Sequence, residues 1–185
     1  PAQTYPLAIA LDENDPNRLF FTCGDKRSNY ICISDDKGEN IIQKTLQCSV
    51  HGNEVGRATG DRLIYKNGRM YFGSQTAGII YSENMGESWQ SIDLFGEKNI
   101  SLIWTDSEGK LFIAGCSGEA NSPDGVTRGH TLYCSTDGLK SFVPLTAPDP
   151  VKYENSSYYG FVPQRITSDS RYIYITFASS GEVFY

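Results

Sequence analysis

The sequence predicts an all-β protein built from repeated four-stranded antiparallel units. Three observations carry that prediction. A strand–turn–strand phrase recurs about every 50 residues. Three serine-led, glycine-bearing turns follow it at the same place in the repeat. No window long enough for a helix keeps an i, i+3, i+4, i+7 apolar pattern.

The phrase occurs four times. Residues 7–24 read LAIALDENDPNRLFFTCG, 62–74 read RLIYKNGRMYFGS, 100–116 read ISLIWTDSEGKLFIAGC and 164–179 read QRITSDSRYIYITFAS. Each is an apolar-rich strand, a turn of Asp, Asn, Gly or Ser, and a second strand carrying Phe20, Tyr71, Phe112 or Tyr174. Turn formers between β-branched and aromatic runs signal hairpins.

The serine-led turns follow the first three hairpins. Residues 34–41 (SDDKGENI), 82–89 (SENMGESW) and 135–142 (STDGLKSF) begin 48 and 53 positions apart. All approximate the Asp-box, S-x-D-x-G-x-[ST]-W. Its parts are Ser34, Asp36 and Gly38, then Ser82, Asn84, Gly86 and Trp89, then Ser135, Asp137 and Phe142. The carboxylate or amide at the third position accepts turn N–H groups. The glycine permits positive φ, and the last residue returns to the core. In the third box Gly138 comes one place early. These residues are read as turn staples, not as chemistry.

Each unit thus has two strands before the box, one entering it and one leaving it, which is a β-propeller blade. The expected blades are 7–50, 51–99, 100–147 and an incomplete 160–185, about three and a half in all. Closed propellers use about 4–8 blades. The expectation is therefore a partial chain, completed by the rest of the propeller or by another copy.

Composition narrows the function. The 185 residues carry a net charge of −6, which repels phosphate backbones, so nucleic acid is not an expected partner. No run approaches the roughly 20 apolar residues of a membrane helix, and no membrane partner is expected. The five cysteines form no C-x-x-C, and only His51 and His130 are present, so neither a metal site nor a cofactor is expected. Cys23/Cys32 and Cys116/Cys134 sit at similar places in two repeats. Each pair could face across neighbouring strands or remain as free thiols, and the odd count leaves at least one unpaired in a monomer. Nucleophile-elbow, P-loop and zinc-protease motifs are absent from the sequence.

Residues 51–63, HGNEVGRATGDRL, followed by YFGSQTAGIIYSENMGESW, closely resemble a stretch of glycoside hydrolase family 74, the xyloglucan-degrading enzymes. Asn53, Gly56, Arg57, Gly60, Arg62 and Leu63 match the family form G-N-x-x-G-R-x-x-G-E-R-L, with Asp61 in place of Glu. Residues 9–18, 163–165 and 172–177 extend the resemblance, whereas 117–129 and 148–159 do not match. The resemblance implies two seven-bladed propellers with a substrate cleft between them. It implies hydrolysis of β-1,4 bonds of xyloglucan with inversion, by two aspartates about 6.5–9.5 Å apart. The family's base lies in a T-D-x-G-G motif in the first blade, and its acid in the second propeller; this sequence contains neither. The chain is therefore expected to hold no catalytic residue and to be inactive alone. Its expected partners are a xyloglucan or β-glucan polysaccharide and the rest of the propeller or second propeller, in a secreted protein.

Asn53, Arg57, Asp61 and Arg62 fit either a sugar-binding wall or an Arg–Asp pair that fixes an inter-blade loop. Tyr158 and Tyr159, beside Tyr153 and Phe161, fit sugar stacking or packing under a loop. Gln164 and Arg165 open a strand, where propellers place binding residues. The alternative function is a non-catalytic Asp-box propeller that binds glycans or proteins.

Overall fold

The computed structural model describes residues 5–24, 29–48, 50, 62–74, 77–92, 99–116, 131–145, 163–177 and 183–184. Among them there is no helix. Strands β1 (Tyr5–Leu11), β2 (Leu19–Gly24), β3 (Asn29–Ser34) and β4 (Ile42–Thr45) form one antiparallel sheet in that order. Strands β5 (Leu63–Lys66), β6 (Arg69–Gly73), β7 (Ile79–Ser82) and β8 (Gln90–Ile92) form the second. Strands β9 (Asn99–Thr105), β10 (Leu111–Cys116), β11 (Thr131–Ser135) and β12 (Val143–Leu145) form the third. Strands β13 (Pro163–Ser168), β14 (Ile173–Phe177) and β15 (Val183–Phe184) form a three-stranded fourth.

The sheets stack face to face. β1 packs on β5, β5 on β9 and β9 on β13, so the first strand of every sheet lies innermost and the sheets fan outward. This is a propeller arc of three blades and most of a fourth. The period-2 alternation of each strand splits its side chains between two inter-blade cores. Phe20, Ile31 and Ile33 of blade 1 meet Leu63, Met70, Phe72 and Ile80 of blade 2. Tyr71 and Ile79 point the other way, to Ile100, Leu111 and Ile113 of blade 3. Phe112, Ala114 and Leu132, on the far face of blade 3, pack with Ile166, Ile173 and Ile175 of blade 4. A strand buried on both faces needs apolar side chains at successive positions. That is why β10 reads LFIA without polar interruption.

The blades also interlock by polar contacts. Ile100 N donates to Ser74 O at 2.9 Å. Lys44 of blade 1 reaches the box of blade 2, donating to Met85 O at 2.7 Å and Glu87 at 2.6 Å. Lys66 of blade 2 bonds Glu13 of blade 1 at 2.7 Å.

The cysteine pairs differ. Cys23 and Cys32 do face across β2 and β3, with their sulfurs 3.1 Å apart. The other pair does not. Cys134 lies opposite Phe112 in the register, four positions along β10 from Cys116, about 13 Å at the rise of a strand.

Candidate functional site

An antiparallel meander has two ends. The β1–β2 and β3–β4 turns share one, and so do their equivalents in blades 2 and 3. The chain crosses from β2 to β3, and from β4 to β5, at the other. The Glu13–Lys66 contact between blades 1 and 2 lies at the first end, so successive blades present the same end together. The three box segments occupy that first end.

Their geometry repeats bond for bond. Ser34 Oγ accepts from Gly38 N at 2.8 Å, Ser82 Oγ from Gly86 N at 2.8 Å, and Ser135 Oγ from Leu139 N at 3.0 Å. Asp36 accepts from Asn40 N at 2.8 Å, Asn84 from Ser88 N at 2.9 Å, and Asp137 from Ser141 N at 2.9 Å. The Ser141 hydroxyl and backbone N–H hold the Asp137 carboxyl down to about 2, and the Asn40 N–H groups lower Asp36 in the same way. Every carboxylate oxygen so engaged is tied within its own turn. Trp89 and Phe142 pack against the inter-blade cores, whereas Ile41, the last residue of the first box, is 54% exposed and does not return to the core.

The early glycine of the third box has a simple explanation. Both central positions of each turn are left-handed: Lys37 and Gly38, Met85 and Gly86, Gly138 and Leu139 all have φ between 56° and 93°. One glycine can relieve either position. Gly86 faces Ile31, 3.1 Å from where a Cβ would stand. Leu139 instead fills the next inter-blade core, beside Ile79 and Tyr133.

A cavity of about 540 Å³ also opens at this end, between blades 2 and 3, lined by Lys66, Arg69, Tyr71, Glu83, Thr105 and Leu111. Its charges are already committed: Arg69 pairs with Glu83, and Lys66 with Glu13. Nothing read from the sequence as sugar-binding lies in it.

Asn53, Arg57, Asp61, Tyr158 and Tyr159, with His51, His130, Tyr153 and Phe161, lie outside the described residues. Arg62 is described, and it is core. Its side chain is 1% exposed, its Nη2 donates to Val50 O at 2.6 Å, and its guanidinium sits 5.6 Å from the Phe72 ring. Burial pulls it down to about 10, with the nearby Cys48 opposing, so it stays charged at neutral pH.

Gln164 lies where β13 slips register against β14, between Pro163 and Arg165. β1 slips between Pro6 and Ala8, and β9 slips at Ser101, opposite Ala114 and Gly115. Leu7, Ser101 and Gln164 each stand four positions before the last residue of the innermost strand. A β-bulge thus recurs at one place in blades 1, 3 and 4, toward the end opposite the boxes. Bulges concentrate at rims and beside functional sites, where they re-aim a side chain. In blade 2 the equivalent position holds Arg62. Sequence reading missed the bulges, because a slip of register leaves no mark in residue type.

No family model matches the chain. An oligoxyloglucan-reducing end-specific xyloglucanase of Emericella nidulans is 28% identical over 119 residues, 57% of this chain and 15% of that protein. A probable enzyme of the same name from Neosartorya fischeri is 25% identical over 162 residues, 80% of this chain and 18% of its own length. The crystal structure of a Niastella koreensis enzyme of glycoside hydrolase family 74 superposes on 96% of this chain and 28% of its own, with a TM-score of 0.72 at 23% identity.

The chain is similar to the xyloglucanases of glycoside hydrolase family 74.

At 23% identity the structural likeness speaks for the propeller fold alone. The curated xyloglucanases add sequence likeness across more than half of the chain. The chain spans less than a fifth of the length of either curated relative.

Proposed function

We propose that this chain is one arc of a secreted glycoside hydrolase that degrades xyloglucan. The likeness to xyloglucanases across 57–80% of the chain carries that reading. In it, the end opposite the box turns is the sugar-facing end. Asn53, Arg57 and Asp61 supply hydrogen bonds to hydroxyls, and Tyr158 and Tyr159 supply stacking rings. Gln164 contributes from the bulge of β13, while Arg62 supports the same wall from inside the core. The catalytic acid and base lie elsewhere in the polypeptide, so the arc binds and positions the polysaccharide rather than cleaving it. The second propeller and the remaining blades are its protein partners.

The geometry supports this division of labour. At the box end the turn carboxylates are spent on their own backbone, and the lining charges of the cavity pair with one another.

A hydrolysis assay of the full-length protein on xyloglucan and on unbranched β-1,4-glucan tests the reading. Release of oligosaccharides from xyloglucan is expected. Arg57→Ala and Tyr159→Ala should each weaken oligosaccharide binding about fivefold, since each contact contributes on the order of 1 kcal/mol. Xyloglucan binding without turnover would instead favour a non-catalytic glycan-binding propeller. Absence of both binding and turnover would overturn the proposal.

A further inference from the structure

Cys23 and Cys32 are set apart from Cys48 and Cys134. Cys23 pairs with Tyr30 in the β2–β3 register, and Cys32 with Phe21. The two cysteines are therefore diagonal neighbours on one face of blade 1. Diagonal neighbours are within reach of each other in an antiparallel pair. Here the side chains turn together, and the sulfurs stand 3.1 Å apart, about 1 Å beyond the 2.05 Å of a bonded pair. Both residues are buried, at 5% and 2% exposure. Cys48 is on the opposite face, in the core between blades 1 and 2. Cys134 is in the core between blades 3 and 4. Neither has such a partner among the described residues.

We propose that Cys23 and Cys32 are joined by a disulfide that staples β2 to β3 when the chain folds in an oxidising compartment. Two thiols lose two protons and two electrons, the S–S bond forms, and a small-molecule disulfide such as oxidised glutathione accepts the electrons and is released as two thiols. The bond forms before blade 1 closes. In the folded, reduced chain, burial and the neighbouring Cys23 push the Cys32 thiol up to about 12. The attacking thiolate is then scarce at neutral pH. The same burial shields the finished bond from reductants. Its consequence is local: β2 and β3 become covalently tied on the side of blade 1 that faces away from blade 2. The inference does not rest on the enzyme assignment.

Peptide mapping decides it. The full-length protein is expressed in an oxidising compartment, its free thiols are alkylated in denaturant, and it is digested with trypsin without reduction. Cleavage after Arg18, Lys26, Arg27 and Lys37 places Cys23 in residues 19–26 and Cys32 in residues 28–37. The expected product is these two peptides linked, lighter by two hydrogens than their sum. It should disappear on reduction, while the peptides with Cys48 and Cys134 are found alkylated. Recovery of residues 19–26 and 28–37 as separate alkylated peptides overturns the proposal, as does linkage of either one to another cysteine. A second measurement uses the Cys23→Ser/Cys32→Ser variant. Reductant should shift the unfolding constant of the parent by about tenfold or more and leave that of the variant unchanged. An equal shift in both would also overturn the proposal.

Discussion

Gly73 ends β6 against the first strand of the next blade. A Cβ there would stand 2.6 Å from Ile100 Cγ2, and Ile100 is fully buried in the next blade. The glycine is thus fixed by its neighbour and not by its dihedral angle. Gly73→Ala is expected to destabilise the fold by about 1–3 kcal/mol through overpacking. Urea unfolding checks this, with the midpoint falling and the slope unchanged. Arg62 makes the complementary point. Its place on the way into a strand favoured a structural pair over a polar wall. Its burial follows from β5 packing between β1 and β9, a contact between distant residues that no local pattern encodes.

The box turn is the element that repeats most faithfully, and its chemistry predicts its failure. Ser82 is buried and accepts from Gly86 N at 2.8 Å. Ser82→Ala leaves that buried N–H without its acceptor and should cost about 1–3 kcal/mol, seen as a lower thermal midpoint. Acid acts on the third turn by a different route. The folded Asp137 carboxyl is held at about 2, below its usual 3.8. The folded state therefore binds the proton less readily than the unfolded chain. The resulting stabilisation is complete above pH 4 and is lost as the pH falls toward 2. Asp137→Asn should flatten that part of an acid-unfolding profile, and an unchanged profile would remove the turn from the account. Much of this element was legible in the sequence. Ser, Asp or Asn, and Gly stand at fixed spacing because each has a distinct hydrogen-bond or φ requirement. Leu139 was not legible as part of the turn. Its left-handed backbone is tolerated for a packing reason that belongs to the adjoining blade.

At the scale of the whole molecule, three inter-blade cores hold the arc together. The repeat period, the hairpin turns and the boxes made the blades visible in the sequence, because each turn needs particular residue types at fixed spacing. The recurring bulge of the innermost strands was hidden, since it is a property of register and not of residue type. In the proposed function the box end is structural and the opposite end faces the sugar. Titration of the isotopically labelled chain with xyloglucan oligosaccharides, followed by backbone amide NMR, tests that assignment most directly. An isolated arc should bind at about millimolar affinity, close to −4 kcal/mol. Shifts confined to residues 53–62 and 158–165, with Gly38, Gly86 and Leu139 unmoved, are the predicted result. Shifts centred on the box turns, or none at several-fold higher sugar, would contradict it.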